Sequence, residues 1–159
     1  MATRLLVTVV ALLALTATPA SAAVLTDPDG GRIGGSWQRW VDAQPLWLPD
    51  RIEFVHGPCP DAPGPGVAGC ADERAVWVSV SSRYRGFARY VLYHELGHVV
   101  DLSMTGAARD DAAAALGWRH WHPERFANHW ANCADPAEVH PSLMRRLRSL
   151  CTLLRLPAA

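Results

Sequence analysis

The spacing of apolar residues in the first half of the chain predicts one helix and two strands. Helical spacing between Ser36 and Pro45 indicates a short helix with a serine N-cap and a proline stop. Residues 51–55 and 75–80 alternate between apolar and polar positions, which is typical of strands, and we expect the two to pair in one small sheet. The Asp-, Gly- and Pro-rich segment from Val24 to Gly35 is expected to be a flexible lead-in.

The second half of the chain has a helical pattern throughout. A long helix is predicted from near Arg83 to Met104, with Gly106 ending it. Shorter helices are predicted over 107–116, from Pro123 onward, and over about 141–154. The fold class expected is therefore α+β, with a short antiparallel or mixed sheet packed on the long helix and a helical C-terminal half.

The N-terminal segment resembles a secretory signal. Arg4 precedes an apolar run from Leu5 to Leu15, and Pro19-Ala20-Ser21-Ala22 provides a small-residue cleavage site. A membrane anchor would need about 18 or more apolar residues, and this run breaks before that. We expect residues 1–22 to be a signal peptide, residues 23–159 to form a single domain, and the mature chain to be secreted without stable membrane insertion.

The charge balance is neutral, with 15 basic and 15 acidic side chains. This balance gives no reason to expect nucleic acid or an anionic membrane as a partner. We expect the mature chain to be a monomer.

Four cysteines in an exported chain are most simply two disulfides, although four cysteines allow three pairings. Local pairing is favoured: Cys59 and Cys70 bracket a Pro/Gly-rich loop, and Cys133 and Cys151 would tie two helices together. Metal binding by cysteine is the alternative, but neither pair has C-x-x-C spacing.

The most informative motif is His94-Glu95-Leu96-Gly97-His98, an HExxH sequence within the long predicted helix. It places two histidines one turn apart on one face, as ligands for zinc. A catalytic zinc takes three protein ligands, and Glu124, at the start of the helix after Pro123, is the predicted third. Asp101 is a rival on the same stripe, but one straight helix cannot easily surround a metal. Asp101 is better placed to accept a hydrogen bond from a ligand imidazole.

Glu95 is the candidate general base, which would take a proton from a zinc-activated water and deliver it to the leaving amine. A donor for the developing oxyanion is also required. His120, His122 or a tyrosine such as Tyr93 are the candidates for that role. The small residues on the metal-facing side of the helix from Pro123 should let it approach Gly97; these are Ala127, Asn128 and Ala131.

With these residues in view, the chain resembles the zincin metallopeptidases of the gluzincin type, and among them the lethal-factor-type peptidases. Their HExGHxVD pattern is matched at residues 94–101, and a downstream E-x-F-A at residues 124–127. The resemblance implies a zincin-like domain with one Zn²⁺ per chain held by His94, His98 and Glu124, and Glu95 as base. The position four after the glutamate ligand, often acidic in such enzymes, is Asn128; its amide oxygen can still accept a hydrogen bond from a ligand histidine.

Three hypotheses follow from these motifs. The first is a secreted zinc-dependent peptidase whose substrate adds as a strand to an exposed sheet edge, placed at about 75–80. The second is a non-catalytic exported binding protein with a structural zinc, which would need a fourth protein ligand such as His120 or His122. The third uses Cys70 as a ligand, in the manner of a deformylase.

Overall fold

The computed structural model describes residues 23–61 and 66–155. The predicted signal peptide lies outside the described residues. One α-helix and four strands precede the C-terminal half, which is helical as predicted. In chain order the elements are β1 (Val24–Thr26), α1 (Gly35–Ala43), β2 (Arg51–Val55), β3 (Gly69–Ala71), β4 (Ala75–Val78), α2 (Arg85–Ser103), α3 (Gly106–Ala115), α4 (Pro123–Ala134), a 3₁₀ turn (Pro136–Glu138) and α5 (Pro141–Leu153).

The strands form one mixed sheet in the order β1-β2-β4-β3. β1, β2 and β4 run parallel, and β3 pairs antiparallel with β4. The predicted pairing of the two alternating segments is confirmed, with Phe54 opposite Val76. The α+β class and the small mixed sheet agree with the prediction from the sequence.

Two expectations about the sheet are wrong. The segment from Val24 to Gly35 begins with strand β1 and is not simply a flexible lead-in. The side chain of Gln38 in α1 fixes this strand: it accepts a hydrogen bond from the Leu25 amide and donates one to the Ala23 carbonyl, each at 2.8 Å. The segment at 75–80 is not an exposed edge, since β4 lies between β2 and β3. The edge on that side of the sheet is β3, whose three residues are too few to give an alternating pattern.

Helix α2 packs its apolar face on the sheet. Leu92, Leu96 and Val99 are fully buried, as the helical pattern predicts, together with Ile52 and Val76 from the strands. These side chains belong to one continuous core that also includes residues of α4 and α5. The polar face of α2 is thereby held in a fixed orientation.

Helix α4 lies against α2 at the glycine of the HExxH motif. A Cβ on Gly97 would lie 2.8 Å from the Cα of Ala127 and 3.1 Å from the Cβ of Trp130. Only glycine permits this approach of the two backbones, because real Cβ atoms do not come so close to backbone atoms. The small-residue contact predicted between the helices is therefore present.

Both predicted disulfides are present, Cys59–Cys70 and Cys133–Cys151. The first attaches the loop after β2 to β3, and the second joins α4 to α5. Because Cys70 is bonded to Cys59, it is not free to bind a metal as the deformylase-like hypothesis requires. Within the described ranges, no helix has the length and apolar character needed to cross a membrane.

Candidate metal centre

Helix α2 presents His94 and His98 one turn apart on the face that does not meet the core. Both side chains are 17% exposed, and their Nε2 atoms lie 3.2 Å from each other. Burial and the neighbouring His98 lower the pKa of His94. A neutral imidazole is the form that binds metal, so this environment favours coordination.

Glu124 lies opposite the two histidines, in the first turn of α4. Pro123 begins that helix. Proline suits the first helical position because its φ is fixed near the helical value and because the N–H that it lacks would have no partner within the helix. The macrodipole at this end of the helix also favours a carboxylate such as that of Glu124. Its Oε2 is 3.4 Å from Nε2 of His94, and its Oε1 is 3.3 Å from Nε2 of His98. The contact between α2 and α4 at Gly97 brings these residues together across 26 positions of the chain.

The donor atoms have the spacing of a metal site. A tetrahedral zinc with bonds of about 2.0–2.1 Å separates its ligand atoms by about 3.3–3.4 Å. The three contacts among His94, His98 and Glu124 measure 3.2, 3.3 and 3.4 Å. One ligand atom from each residue lies within 4.8 Å of the others, and no fourth His, Cys, Asp or Glu in the described ranges joins this group. Two imidazoles and one carboxylate therefore fit a single metal ion.

Glu95 is a buried carboxyl beside the histidines, with only 6% of its surface exposed. Burial raises its pKa from 4.5 to about 7, with a smaller contribution from the negative charge of Glu124. Strand β3 covers it: a Cβ on Gly69 would lie 2.8 Å from Oε1 of Glu95. The glycine leaves this carboxyl oxygen the space that a side chain would take.

The cleft around these residues has a volume of about 510 Å³. Strand β3 forms one side, the metal-facing side of α2 forms the floor, and the start of α4 forms the other side. Its lining residues are Gly69, Cys70, Ala71, His94, Glu95, His98, Asp101, Leu102, Pro123 and Glu124.

Asp101 is buried in this region, but its hydrogen bonds differ from those predicted. Its Oδ1 accepts from Nε of Arg109 at 2.9 Å and from Nε1 of Trp121 at 2.8 Å. Among the described contacts there is none to a histidine. Asp101 thus connects α2 to α3 and to the loop before α4. These hydrogen bonds hold together the elements that surround the cleft.

Asn128 faces His94 from one turn beyond Glu124. The nearby Asn128 side chain raises the pKa of His94, against the larger effects of burial and of His98. The buried Nδ1 of His94 nevertheless has no partner at normal hydrogen-bonding geometry, so the Asn128 amide is near the ring without a well-formed bond. The hydroxyl of Tyr90 donates to Oδ1 of Asn128.

Tyr90 is a site residue that the motif analysis missed. Its ring centroid lies 6.2 Å from that of His94, one helical turn earlier. The sequence already places Tyr90 one helical turn before His94. It does not show that Asn128 of α4 lies beside the Tyr90 hydroxyl, because that contact depends on how the two helices pack.

The three predicted oxyanion donors are not brought to the cleft lining. Tyr93 is buried in the core and donates to the carbonyl of Trp40 at 2.7 Å, and burial raises its pKa to about 12. His120 and His122 are exposed, and the His122 ring packs against Trp118 at 5.8 Å. Neither histidine is among the residues that line the cleft.

Comparison with protein-family models, with curated proteins and with solved structures finds no match for this chain.

Proposed function

We propose that this chain is a secreted, single-domain zinc metallopeptidase of the zincin class that hydrolyses peptide bonds, with Glu95 as general base. The observation that carries the proposal is the spacing of His94, His98 and Glu124, which fits one zinc ion and has no fourth protein ligand among the described residues. Catalytic zinc sites have three protein ligands and leave one position open. A structural site would be closed by a fourth.

Zinc, when bound, supplies a Lewis acid that polarises the scissile carbonyl and an activated water for attack. Glu95 accepts the proton released as the water oxygen bonds to the carbonyl carbon. It then delivers that proton to the amide nitrogen as the C–N bond breaks. In the metal-free protein burial raises the pKa of this carboxyl to about 7, and a zinc ion beside it would favour the charged form that accepts the proton.

Strand β3 is the proposed edge for substrate binding, in place of the segment at 75–80. Among the described strands it pairs with β4 alone, and we propose that an extended peptide adds as a strand to its other edge. Gly69 in this strand lies against Glu95, so a peptide bonded to β3 would pass close to the base.

Export is supported by two observations. The two disulfides suit an oxidising compartment, and the N-terminal sequence has the features of a cleavable leader.

The test is zinc content and peptide hydrolysis of the purified protein, for wild type, Glu124→Ala and Glu95→Gln side by side. We expect about one zinc in wild type, a large loss of zinc in Glu124→Ala, and full zinc without turnover in Glu95→Gln. Glu73→Gln, on the exposed turn between β3 and β4, is the control for removing one negative charge. Undiminished hydrolysis by Glu95→Gln, or no zinc in reconstituted wild type, would contradict the proposal. Full zinc with no hydrolysis in wild type would favour the structural-zinc alternative.

A further inference from the structure

The exposed large hydrophobic side chains are concentrated on the metal-bearing helix. Among the described residues they are Tyr84, Phe87, Tyr90 and Leu102, all of them in α2 or at its N-cap. Single exposed apolar residues are ordinary on a protein surface, but a group of them on one element indicates a binding surface.

Three of these residues lie on the same side of α2 as the metal ligands. At 100° per residue, Phe87 is about 20° from His94 around the helix, and Leu102 is about 40° from His98. Tyr90 lies one turn before His94. Tyr84 differs, because the guanidinium of Arg83 covers its ring at 4.9 Å.

The apolar residues flank the candidate metal site at both ends. Phe87 lies two turns before His94, and Leu102 lies one turn after His98. Their separation of 15 positions spans about 22 Å of helix, which is the length of six or seven residues of extended peptide. Phe87 is 57% exposed and Leu102 is 42% exposed.

Leu102 is also continuous with the site itself, because it lines the same cleft as both histidines and Glu124. Strand β3 forms one side of that cleft, and within the described part of the chain only β4 pairs with it. Phe87 is not among the residues that line the cleft; it lies on the same side of α2, before the metal ligands. A ligand that extends along this side of α2 would therefore meet the backbone of β3 and Leu102 within the cleft, and Phe87 beyond it.

From this arrangement we propose that the cleft, together with the surface of α2 that continues from it to Phe87, selects extended polypeptide segments with apolar side chains on either side of the scissile bond, and that Phe87 and Leu102 determine this specificity. The inference rests on the proposed peptidase function and names its substrate class. Flexible or unfolded segments fit the cleft best, because in folded proteins large apolar side chains are mostly buried.

The experiment measures binding apart from hydrolysis. Two sets of fluorescein-labelled ten-residue peptides, one with Leu and Phe at alternate positions and one with Ser and Asn there, are titrated by anisotropy against zinc-loaded Glu95→Gln protein. We expect the apolar set to bind at least about 10-fold more tightly, since apolar contacts of this size discriminate by about 10- to 200-fold.

Phe87→Ser and Leu102→Ser, each in the Glu95→Gln background, should reduce that preference several-fold with zinc content unchanged. Both side chains are exposed, so the fold does not depend on burying them. Arg85→Ser, exposed on the same helix about 160° from Phe87, is the matched control and should leave the preference intact.

Equal binding of the two sets, absence of binding by either, or an unchanged preference in both serine variants would overturn the inference. Hydrolysis of both sets at equal rates by wild type would also overturn it, while leaving the peptidase function intact. A preference that is lost in the serine variants supports the inference even if wild type hydrolyses neither set, in which case only the peptidase function fails.

Discussion

Replacing Glu95 by Gln should stabilise the metal-free protein, and the gain should grow as the pH rises. The carboxyl is buried, and its pKa in the folded protein is about 7, against 4.5 when it is not perturbed. The folded protein therefore holds this proton more tightly than the unfolded chain does. The free energy of unfolding of wild type therefore falls progressively as the pH rises from 4.5 to about 7, because the buried carboxyl must ionise in the folded protein. Above about pH 7 this loss no longer grows.

The size of the effect follows from the two pKa values. Each pKa unit corresponds to about 1.4 kcal/mol, so the full cost of the buried carboxyl is about 3 kcal/mol, with about 2–3 kcal/mol of it developing between pH 5 and pH 8. Glutamine has nearly the shape of the protonated acid and does not ionise. It removes this cost and leaves the packing around β3 unchanged.

The assay is urea denaturation of wild type and Glu95→Gln in the presence of EDTA, at several pH values from 5 to 8. The difference in unfolding free energy isolates Glu95, because contributions common to both proteins, including that of His94, cancel. Glu73→Gln is again the control for loss of one negative charge. A difference that is the same at pH 5 and pH 8 would refute the reasoning, since it would mean that burial does not hold the proton on this carboxyl.

Three further predictions concern the supports of the cleft. Gly97→Ala should destabilise the protein by about 1–3 kcal/mol in thermal or urea unfolding, because its Cβ would lie 2.8 Å from a backbone atom of α4; Gly86→Ala in the same helix has nothing within 4 Å and should be neutral or slightly stabilising, so equal losses would contradict the packing argument. Gly69→Ala should lower peptide turnover with zinc content retained, because its Cβ would lie 2.8 Å from Oε1 of Glu95. Unchanged turnover would show that β3 can shift to make room for the methyl group without displacing Glu95. Replacing Cys133 and Cys151 by Ala should lower the unfolding free energy by about 2–4 kcal/mol, and a loss below 1 kcal/mol would show that the bridge adds little to the α4–α5 contact.

The elements with strong periodicity could be predicted from the sequence. Helix α2 was expected from near Arg83 to Met104 and runs from Arg85 to Ser103. Its buried face was also predicted correctly, because a helix of this length repeats its apolar pattern several times. The cysteine pairs were predictable for a different reason: each is close in sequence, so local pairing closes the shortest loops.

Short elements and contacts across the fold could not be predicted in this way. β1 and β3 have three residues each, which is too few to show a period. Asp101 has the spacing of a partner for His98, yet it binds Arg109 and Trp121, which reach it from two other parts of the chain. Sequence spacing gives the face on which a side chain lies, whereas its partner depends on which elements dock there.

The disulfides explain how so short a chain can hold these contacts. Of the elements around the cleft, α2 is fixed by the core, but β3 is a three-residue edge strand and α4 must hold Glu124 in its first turn. Cys70 lies within β3 and Cys133 within α4, so each bridge attaches one wall of the cleft to a neighbouring segment. A small domain buries too little surface to fix such elements by packing alone, and cross-links are the usual compensation. The two bridges therefore stabilise the two walls whose positions determine the distance from Glu124 to the histidines and the distance from Gly69 to Glu95.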